Sequence, residues 1–314
     1  MITFVIVTVF VVVLATWLGL RLRRFFKFWI AEGDKLYNET VNGSGGYVVP
    51  PVSARAAGLQ HWLGKLACSL VVGPVTYIRN PLIDACQTRL VAAPNHQDER
   101  DIVALLAVDA RRADGTRRRW RYMSAVEQIK PRWRRWWFAF TGCVAVKRQE
   151  QMKAAKALLA SVKGLVEDAE ADFTIFPHGR LEPRNTLEQD QVHDGYAKIP
   201  LKVQEKSNSK FSVVPTYVHY FQKPYGLFAL PGLRRLRRHE FEVSTRDLKP
   251  SGVRVKSYFY GCVILSGAPI EVDCIPTDAE ARKKLINDAW RVMQQYVQAM
   301  EIKRGRIVRA PIFF

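Results

Sequence analysis

From about residue 74 onward, short apolar runs alternate along the chain with longer stretches of helical periodicity. This alternation predicts an α/β fold with a mixed, mostly parallel and largely buried sheet flanked by helices. Predicted strands cover residues 88–93, 119–124, 143–147, 172–176, 212–218 and 254–264. Predicted helices cover residues 52–72, 99–111, 150–167, 190–204 and 277–300.

The N-terminus is the clearest targeting feature. Residues 1–20 carry no charge, and about twenty helical residues span ~30 Å of hydrocarbon. Arg21, Arg23, Arg24 and Lys27 follow this segment, whereas a secretory signal places its positive charge before the apolar core. The sequence therefore predicts a single retained transmembrane anchor, with the rest of the chain in the cytoplasm. An interfacial or re-entrant helix is the alternative.

Composition and the positions of glycine- and proline-rich segments suggest that the chain has three regions. A Gly/Ser/Pro-rich passage over residues 42–51 is typical of a linker or turn cluster. We therefore divide the chain into an anchor with a basic collar (1–30), a linker with an amphipathic helix (31–73) and a main domain (74–314). The five cysteines are scattered, odd in number and never spaced C-x-x-C, which argues against a disulfide framework or a zinc site and favours a reducing compartment.

A formal net charge of +19 predicts an anionic partner. Nucleic acid is one candidate, and an anionic bilayer with phosphorylated substrates is another. Basic residues interleave with tryptophan in segments 117–121 and 130–137, and indole rings prefer the headgroup level of a membrane. Tryptophan also stacks on bases, but the preceding anchor favours membrane lipids as partners, and we expect no nucleic acid.

His96 and Asp101 make the sharpest chemical statement in the chain. They lie five residues apart after the predicted strand 88–93. In one continuous helix their side chains would diverge by roughly 140°, since each residue advances ~100°. They meet only if His96 precedes the helix and Asp101 lies in its first turn, an arrangement that Asp98 favours as an N-cap. The pair would then be a base with its orienting carboxylate; the alternative is a capped helix beside an exposed histidine.

Three further segments combine strands with cations or turns. Residues 176–180, Phe-Pro-His-Gly-Arg, would let backbone amides and the guanidinium of Arg180 grip a phosphate, or form a simple turn. Residues 142–148 form a predicted strand that ends in two cations, which would guard a sheet edge or bind an anion. Residues 213–217 form a buried-looking strand interrupted by a proline.

Read in order, these four segments resemble the ordered blocks of the glycerolipid acyltransferase family, whose type member is 1-acyl-sn-glycerol-3-phosphate acyltransferase. The resemblance covers roughly residues 75–265. Each block alone is weak or moderate evidence for this resemblance, whereas four blocks in the right order are strong evidence. The matching residues are Asn95, His96 and Asp101 in the first block (N-H-x4-D), Gly142 and Arg148 in the second, Phe176, Pro177, Gly179 and Arg180 in the third, and Val214 and Pro215 in the fourth.

The resemblance implies a membrane-anchored O-acyltransferase without a cofactor or metal. It would move a fatty acyl group from acyl-CoA or acyl carrier protein to a lysophospholipid hydroxyl in one direct transfer. His96 would deprotonate that hydroxyl and Asp101 would orient His96. Arg148 and Arg180 would hold the acceptor phosphate, and the other expected substrate-binding residues are Asn95, Lys147, His178 and Gly179.

Two departures from the family pattern leave the acceptor open. His178 stands where the third block has a glutamate associated with acceptor binding, and Lys147 replaces a frequent aspartate in the second block. Lysophosphatidic acid is the first choice of acceptor; glycerol-3-phosphate, another lysophospholipid and an amino-acid-based lyso-lipid are alternatives. A non-enzymatic, membrane-tethered basic module that binds nucleic acid or anionic lipid is the rival from another class, and an inactive relative is a further alternative.

Overall fold

A computed structural model of the chain describes residues 2–43, 46–51, 53–147, 151–182, 185–224, 238–243, 253–303 and 306–310. The helices are α1 (Ile2–Val41), α2 (Ala54–Val71), α3 (Leu82–Ala85), α4 (Asp101–Leu106), α5 (Val126–Ile129), α6 (Arg132–Phe140), α7 (Gln151–Glu167), α8 (Gly195–Gln204) and α9 (Ala279–Gln298). The strands are β1 (Val75–Arg79), β2 (Arg89–Pro94), β3 (Arg119–Ala125), β4 (Cys143–Val146), β5 (Ala171–Thr174), β6 (Phe211–Pro224), β7 (Arg238–Val243), β8 (Val253–Ser266), β9 (Ile270–Glu271), β10 (Glu301–Lys303) and β11 (Arg306–Arg309).

The chain divides into two compact units. Met1–Val52 and Met123–Gly164 form unit 1, whereas Ser53–Tyr122 and Leu165–Phe314 form unit 2. The boundary expected after residue 30 falls inside α1, and the boundary expected after residue 73 falls between α2 and β1. All five cysteines are free thiols.

Unit 2 contains the mixed, mostly parallel sheet that the sequence predicts. Its strands follow the order β1-β8-β6-β2-β5-β3. β2 runs parallel to both β5 and β6, β3 runs parallel to β5, and β1 runs parallel to β8. β6 and β8 are antiparallel, and the short strands β7 and β9 extend β8 and β6. The confirmed alternation of strands and helices thus produces the expected α/β fold.

The two central strands β2 and β5 are buried along their whole length. Such strands are covered on both faces, so their sequences read as apolar runs without a polar alternation. The charged exceptions are Arg89 of β2 and Asp172 of β5. Oδ1 of Asp172 accepts a hydrogen bond from the backbone nitrogen of Leu90 in β2 at 2.7 Å and contacts Nη1 of Arg118 at 3.2 Å. Neither charged side chain of this pair is exposed.

The arginine run 117–121 is paired with carboxylates inside unit 2 and is not the membrane-facing segment expected from the sequence. Arg118 and Arg121 are buried. Arg119 and Arg121 both contact the carboxylate of Asp168, and Arg117 contacts Asp109 at 2.8 Å. The sequence did not reveal these pairs because Asp168 lies 47 residues from Arg121 and Asp172 lies 54 residues from Arg118 along the chain.

Unit 1 packs the C-terminal half of α1 against α6. The ring of Phe140 lies 5.1 Å from Phe25 and 5.3 Å from Trp29, and both contacts are edge-on. Arg135 stacks over a ring of α1 and forms a 2.8 Å ion pair with Asp34. Trp133 is 71% exposed. The Trp/Arg segment 130–137 thus forms a helix with one packed and one exposed face, which the sequence reading did not assign as a helix.

The expected transmembrane anchor is not supported. The structure describes the side chains of α1 from Val13 onward. Within the described part of the chain, no helix combines the length and the apolar character needed to cross a bilayer.

Helix boundaries near the expected site also differ from prediction. The helix predicted at 99–111 is the short α4, and Arg100, not Asp98, occupies its N-cap without a side-chain capping bond. The helix predicted at 190–204 begins only at Gly195, after a 3-10 turn at Gln189–Gln191. Asp101 nevertheless lies at the first position of α4 and His96 lies before it, as the sequence geometry requires.

Candidate active site

Two polypeptide segments meet where β2 and β5 end. His96 follows β2, and residues 175–182 follow β5. Because β2 and β5 are parallel neighbours, their carboxyl ends share one edge of the sheet, which is where open α/β sheets place their ligands. Two backbone hydrogen bonds continue the pairing past the strands: Ile175 N donates to Ala92 O at 3.1 Å, and Glu182 N donates to His96 O at 2.6 Å.

His96 and Asp101 form the predicted pair. Nδ1 of His96 lies 2.8 Å from Oδ2 of Asp101. The same oxygen accepts hydrogen bonds from the backbone nitrogens of Gln97 and Asp98 at 2.8 and 3.1 Å. Since all its neighbours donate, the carboxylate acts as acceptor, and Nδ1 of His96 carries the proton. This tautomer leaves Nε2 as the basic nitrogen.

The two side chains of the pair differ in their exposure to solvent. The His96 side chain is 19% exposed, whereas that of Asp101 is completely buried. The ring of Phe176, from the third block, stacks on the imidazole with 4.1 Å between ring centroids and 29° between planes. The imidazole is therefore fixed by a ring contact on its face and a carboxylate at Nδ1, with part of its surface open to a substrate.

His178 lies in a different environment. It is 2% exposed and its ring lies 4.8 Å from that of Trp290 on α9. Among the described residues, neither ring nitrogen has a hydrogen-bond partner. Burial lowers the pKa of His178 to about 4, and the nearby His96 and Arg180 add to the shift. The residue that replaces the family's glutamate is thus a neutral, enclosed ring at neutral pH.

The turn after His178 is open. Gly179 has φ +62 and is exposed, as is Arg180. A side chain at position 179 would be strained at this φ and would contact the ring of His193. The turn therefore offers backbone and a guanidinium at the surface, in the way the sequence predicts for an anion-binding turn.

Asn95 is placed differently from a substrate-contacting residue. It is fully buried. Its Nδ2 donates to Asn185 Oδ1 at 2.8 Å and to Val218 O at 3.0 Å, while its Oδ1 accepts from Val218 N at 2.6 Å. These contacts tie the end of β2 to β6 and to the loop after the third block, so they support a positioning role.

The second block belongs to unit 1. Gly142 has φ +72 in the turn between α6 and β4, a conformation that favours glycine. Lys147 follows β4 and is partly buried. Arg148, predicted to bind phosphate, lies outside the described residues.

Sequence reasoning missed two polar residues at the pair. Tyr220 donates its hydroxyl hydrogen to Oδ1 of Asp101 at 2.6 Å, and the Gln97 side chain accepts from Tyr220 N at 3.4 Å. The predicted strand 212–218 ended too early, whereas β6 runs to Pro224. A longer strand with residues 214, 216, 218 and 220 on one face would have indicated Tyr220.

Comparisons with known proteins bear on the family and the fold of the chain. A family model described as Acyltransferase matches residues 75–219, a range that includes all four blocks. A comparison with proteins of curated function finds no significant match. Among solved structures, the fold is similar to the crystal structure of the 1-acyl-sn-glycerophosphate (LPA) acyltransferase PlsC from Thermotoga maritima. That match has a TM-score of 0.51 and 15% identity, and covers 79% of this chain and 81% of the other.

The family match over residues 75–219 supports an acyltransferase enzyme, and the solved structure shows that the fold is shared. The resemblance to the glycerolipid acyltransferase family, predicted from the four blocks, is confirmed.

Proposed function

We propose that the protein transfers a fatty acyl group from an acyl thioester, acyl-CoA or acyl carrier protein, to a lysophospholipid hydroxyl. Lysophosphatidic acid is the first choice of acceptor, since the four blocks and the fold are similar to those of acyltransferases that use it. The observation that carries the proposal is the 2.8 Å contact between His96 Nδ1 and Asp101 Oδ2 at the end of a buried parallel strand.

In this mechanism His96 is the general base. Its Nε2 takes the proton from the acceptor hydroxyl as the oxygen attacks the thioester carbonyl carbon. Asp101 holds the imidazole in the required tautomer and stabilises the imidazolium that forms. A carbon–oxygen bond forms, the carbon–sulfur bond breaks, and the thiolate leaving group takes the proton from His96 and departs as the thiol. No residue of the protein is acylated in this scheme.

The exposed turn at Gly179 and Arg180 is the proposed grip on the acceptor phosphate in unit 2. A guanidinium binds phosphate oxygens bidentately, and a glycine with positive φ lets a ligand approach the backbone. Arg148 and Lys147 remain proposed contributors from the second block. The enclosed ring of His178 supports a role in shaping this turn more than a direct contact with the phosphate.

We further propose that unit 1 attaches the enzyme to the membrane interface. Large apolar side chains of α1 are exposed, among them Trp17, Leu20 and Phe28. On α6, Trp133 is exposed beside Arg132. Such a mixture of apolar, indole and cationic groups suits the headgroup region, where the lipid acceptor lies.

The proposal is tested by transfer of a labelled acyl group by the purified full chain in lipid vesicles. Acyl-CoA and acyl carrier protein serve as donors, and lysophosphatidic acid, glycerol-3-phosphate and an amino-acid-based lyso-lipid serve as acceptors. His96→Ala should reduce transfer at least about a thousandfold, since it removes the base. The control is His61→Asn, a change in a buried histidine that bonds the carbonyl of Leu106 and contacts no proposed substrate group.

Each outcome has a clear meaning. Transfer to lysophosphatidic acid that depends on His96 supports the proposal, whereas transfer to another acceptor corrects the acceptor alone. Full activity of His96→Ala would overturn the mechanism. Vesicle binding without transfer to any acceptor, unchanged in His96→Ala, would favour the non-enzymatic membrane module.

A further inference from the structure

Tyr220 contacts the buried end of the His96–Asp101 pair. Its hydroxyl lies 2.6 Å from Oδ1 of Asp101, the carboxylate oxygen that His96 does not contact. The Tyr220 ring stacks on Phe259 of β8 with 4.3 Å between centroids and 22° between planes. Both rings are buried. The hydroxyl is thus held on Asp101 by packing on a rigid part of the sheet.

The two oxygens of Asp101 have different partners. Oδ2 accepts hydrogen bonds from His96 and from the backbone nitrogens of Gln97 and Asp98. Oδ1 accepts a hydrogen bond from the hydroxyl of Tyr220. Burial, together with the negative charge of Asp101, raises the pKa of Tyr220 well above its usual value. The hydroxyl therefore stays protonated and donates throughout the working pH range.

We propose that Tyr220 is a positioning residue of the acyl transfer: its hydroxyl holds Oδ1 of Asp101, so that Oδ2 stays directed at Nδ1 of His96. The proposal rests on the proposed role of His96 as general base. Without the hydroxyl, Oδ1 would lie in a sealed site without that charge-assisted bond, and the carboxylate could rotate away from the imidazole.

The other ionisable groups near the pair do not replace Tyr220. Asp98 precedes α4, Cys262 lies on β8 and Cys68 lies on α2 behind it. His178 lies on the side of His96, and burial keeps it neutral. A hydrogen bond with the Cys68 side chain and burial raise the pKa of Cys262, so it too is neutral. Tyr220 is therefore the side-chain donor to Oδ1 within the described residues.

The test compares Tyr220→Phe with Tyr122→Phe. The first removes the hydroxyl on Asp101 and keeps the ring that stacks on Phe259. The second removes a buried hydroxyl for which the described residues offer no partner. Rates are measured against pH with a saturating donor. In parallel, the histidine ring carbons are labelled, and the His96 signal, assigned with His96→Ala, is titrated by NMR.

For Tyr220→Phe we expect kcat to fall about tenfold, with KM for the acceptor changed less than about twofold. A hydrogen bond to the anion is lost, so the pair binds a proton more readily. Its apparent pKa rises, and the acid limb of the rate profile moves up by about one pH unit. Tyr122→Phe should leave both the rate and the limb unchanged.

Equal behaviour of the two variants would overturn the role of Tyr220. The NMR titration separates this outcome from failure of the proposed function, since it reports the contact of the pair whether or not His96 is the base. If Tyr220→Phe does not fold, wild-type protein labelled with 3-fluorotyrosine, a stronger donor, replaces it. The NMR titration and acid limb should then move to lower pH, and unchanged values would refute the proposal.

Discussion

The first and third blocks place a histidine after neighbouring parallel strands, yet the two histidines are chemically opposite. His96 is partly exposed and has a carboxylate on Nδ1. His178 is enclosed beside Trp290, and the described residues offer its nitrogens no partner. Position at the end of a strand is therefore insufficient to make a base. A histidine is suited to act as a general base when a partner stabilises its protonated ring and when part of the ring is open to the substrate.

The carboxylate partner distinguishes His96 from His178, and Asp101→Asn, which removes that carboxylate, should have the largest effect. The amide cannot stabilise an imidazolium and favours the wrong tautomer of His96, so kcat should fall about 10²- to 10⁴-fold. Acyl transfer measured under saturating substrates checks this value. Asp98→Asn is the control, because Oδ1 of Asp98 contacts Arg100 and not His96; an equal loss in both variants would contradict the specific role of Asp101.

Below the two blocks, Asp172 of β5 accepts a hydrogen bond from Leu90 of β2 and forms a buried ion pair with Arg118, which precedes β3. Arg118→Met removes one charge and leaves the other enclosed, which should lower the free energy of unfolding by about 3–5 kcal/mol. Urea unfolding followed by circular dichroism measures the change. Arg111→Met is the matched control, since its ion pair with Asp109 is exposed and should contribute less than about 1 kcal/mol.

The smallest expected effect is the contribution of His178 to the pH dependence of the free energy of unfolding. Its pKa is about 4 in the folded chain and 6.5 when unperturbed. The unfolded chain therefore takes up the proton first, and stability present above pH 6.5 is lost as the pH falls toward 4. Between pH 7 and pH 5 this loss is about 2 kcal/mol.

His178→Phe keeps a ring beside Trp290 and removes the titrating group. Unfolding experiments at pH 7 and pH 5 should show a smaller loss of stability in this variant than in the wild type. His219, whose pKa burial also lowers to about 4, contributes equally to both proteins. The same pH dependence in both would contradict the assigned environment of His178.

The sequence predicted the parts of the molecule that depend on local pattern. Buried parallel strands read as apolar runs, and the five-residue spacing required His96 to precede α4, as it does. It failed where contacts join distant segments. The partner of Arg118 lies 54 residues away, so its burial could not be read from the run 117–121. Tyr220 lies 119 residues from Asp101. It belongs to none of the four blocks, and the predicted strand ended before it, at residue 218.

The bond from Glu182 N to the carbonyl of His96 has a consequence for protein engineering. The loop that follows the proposed acceptor turn is hydrogen-bonded to the backbone of His96, the proposed base, and Phe176 of that turn covers the imidazole ring. We therefore expect substitutions in residues 176–182 that are chosen to admit a new acceptor to displace His96 as well. In this enzyme a new specificity and a preserved turnover number must be selected together, because the two are not separable modules.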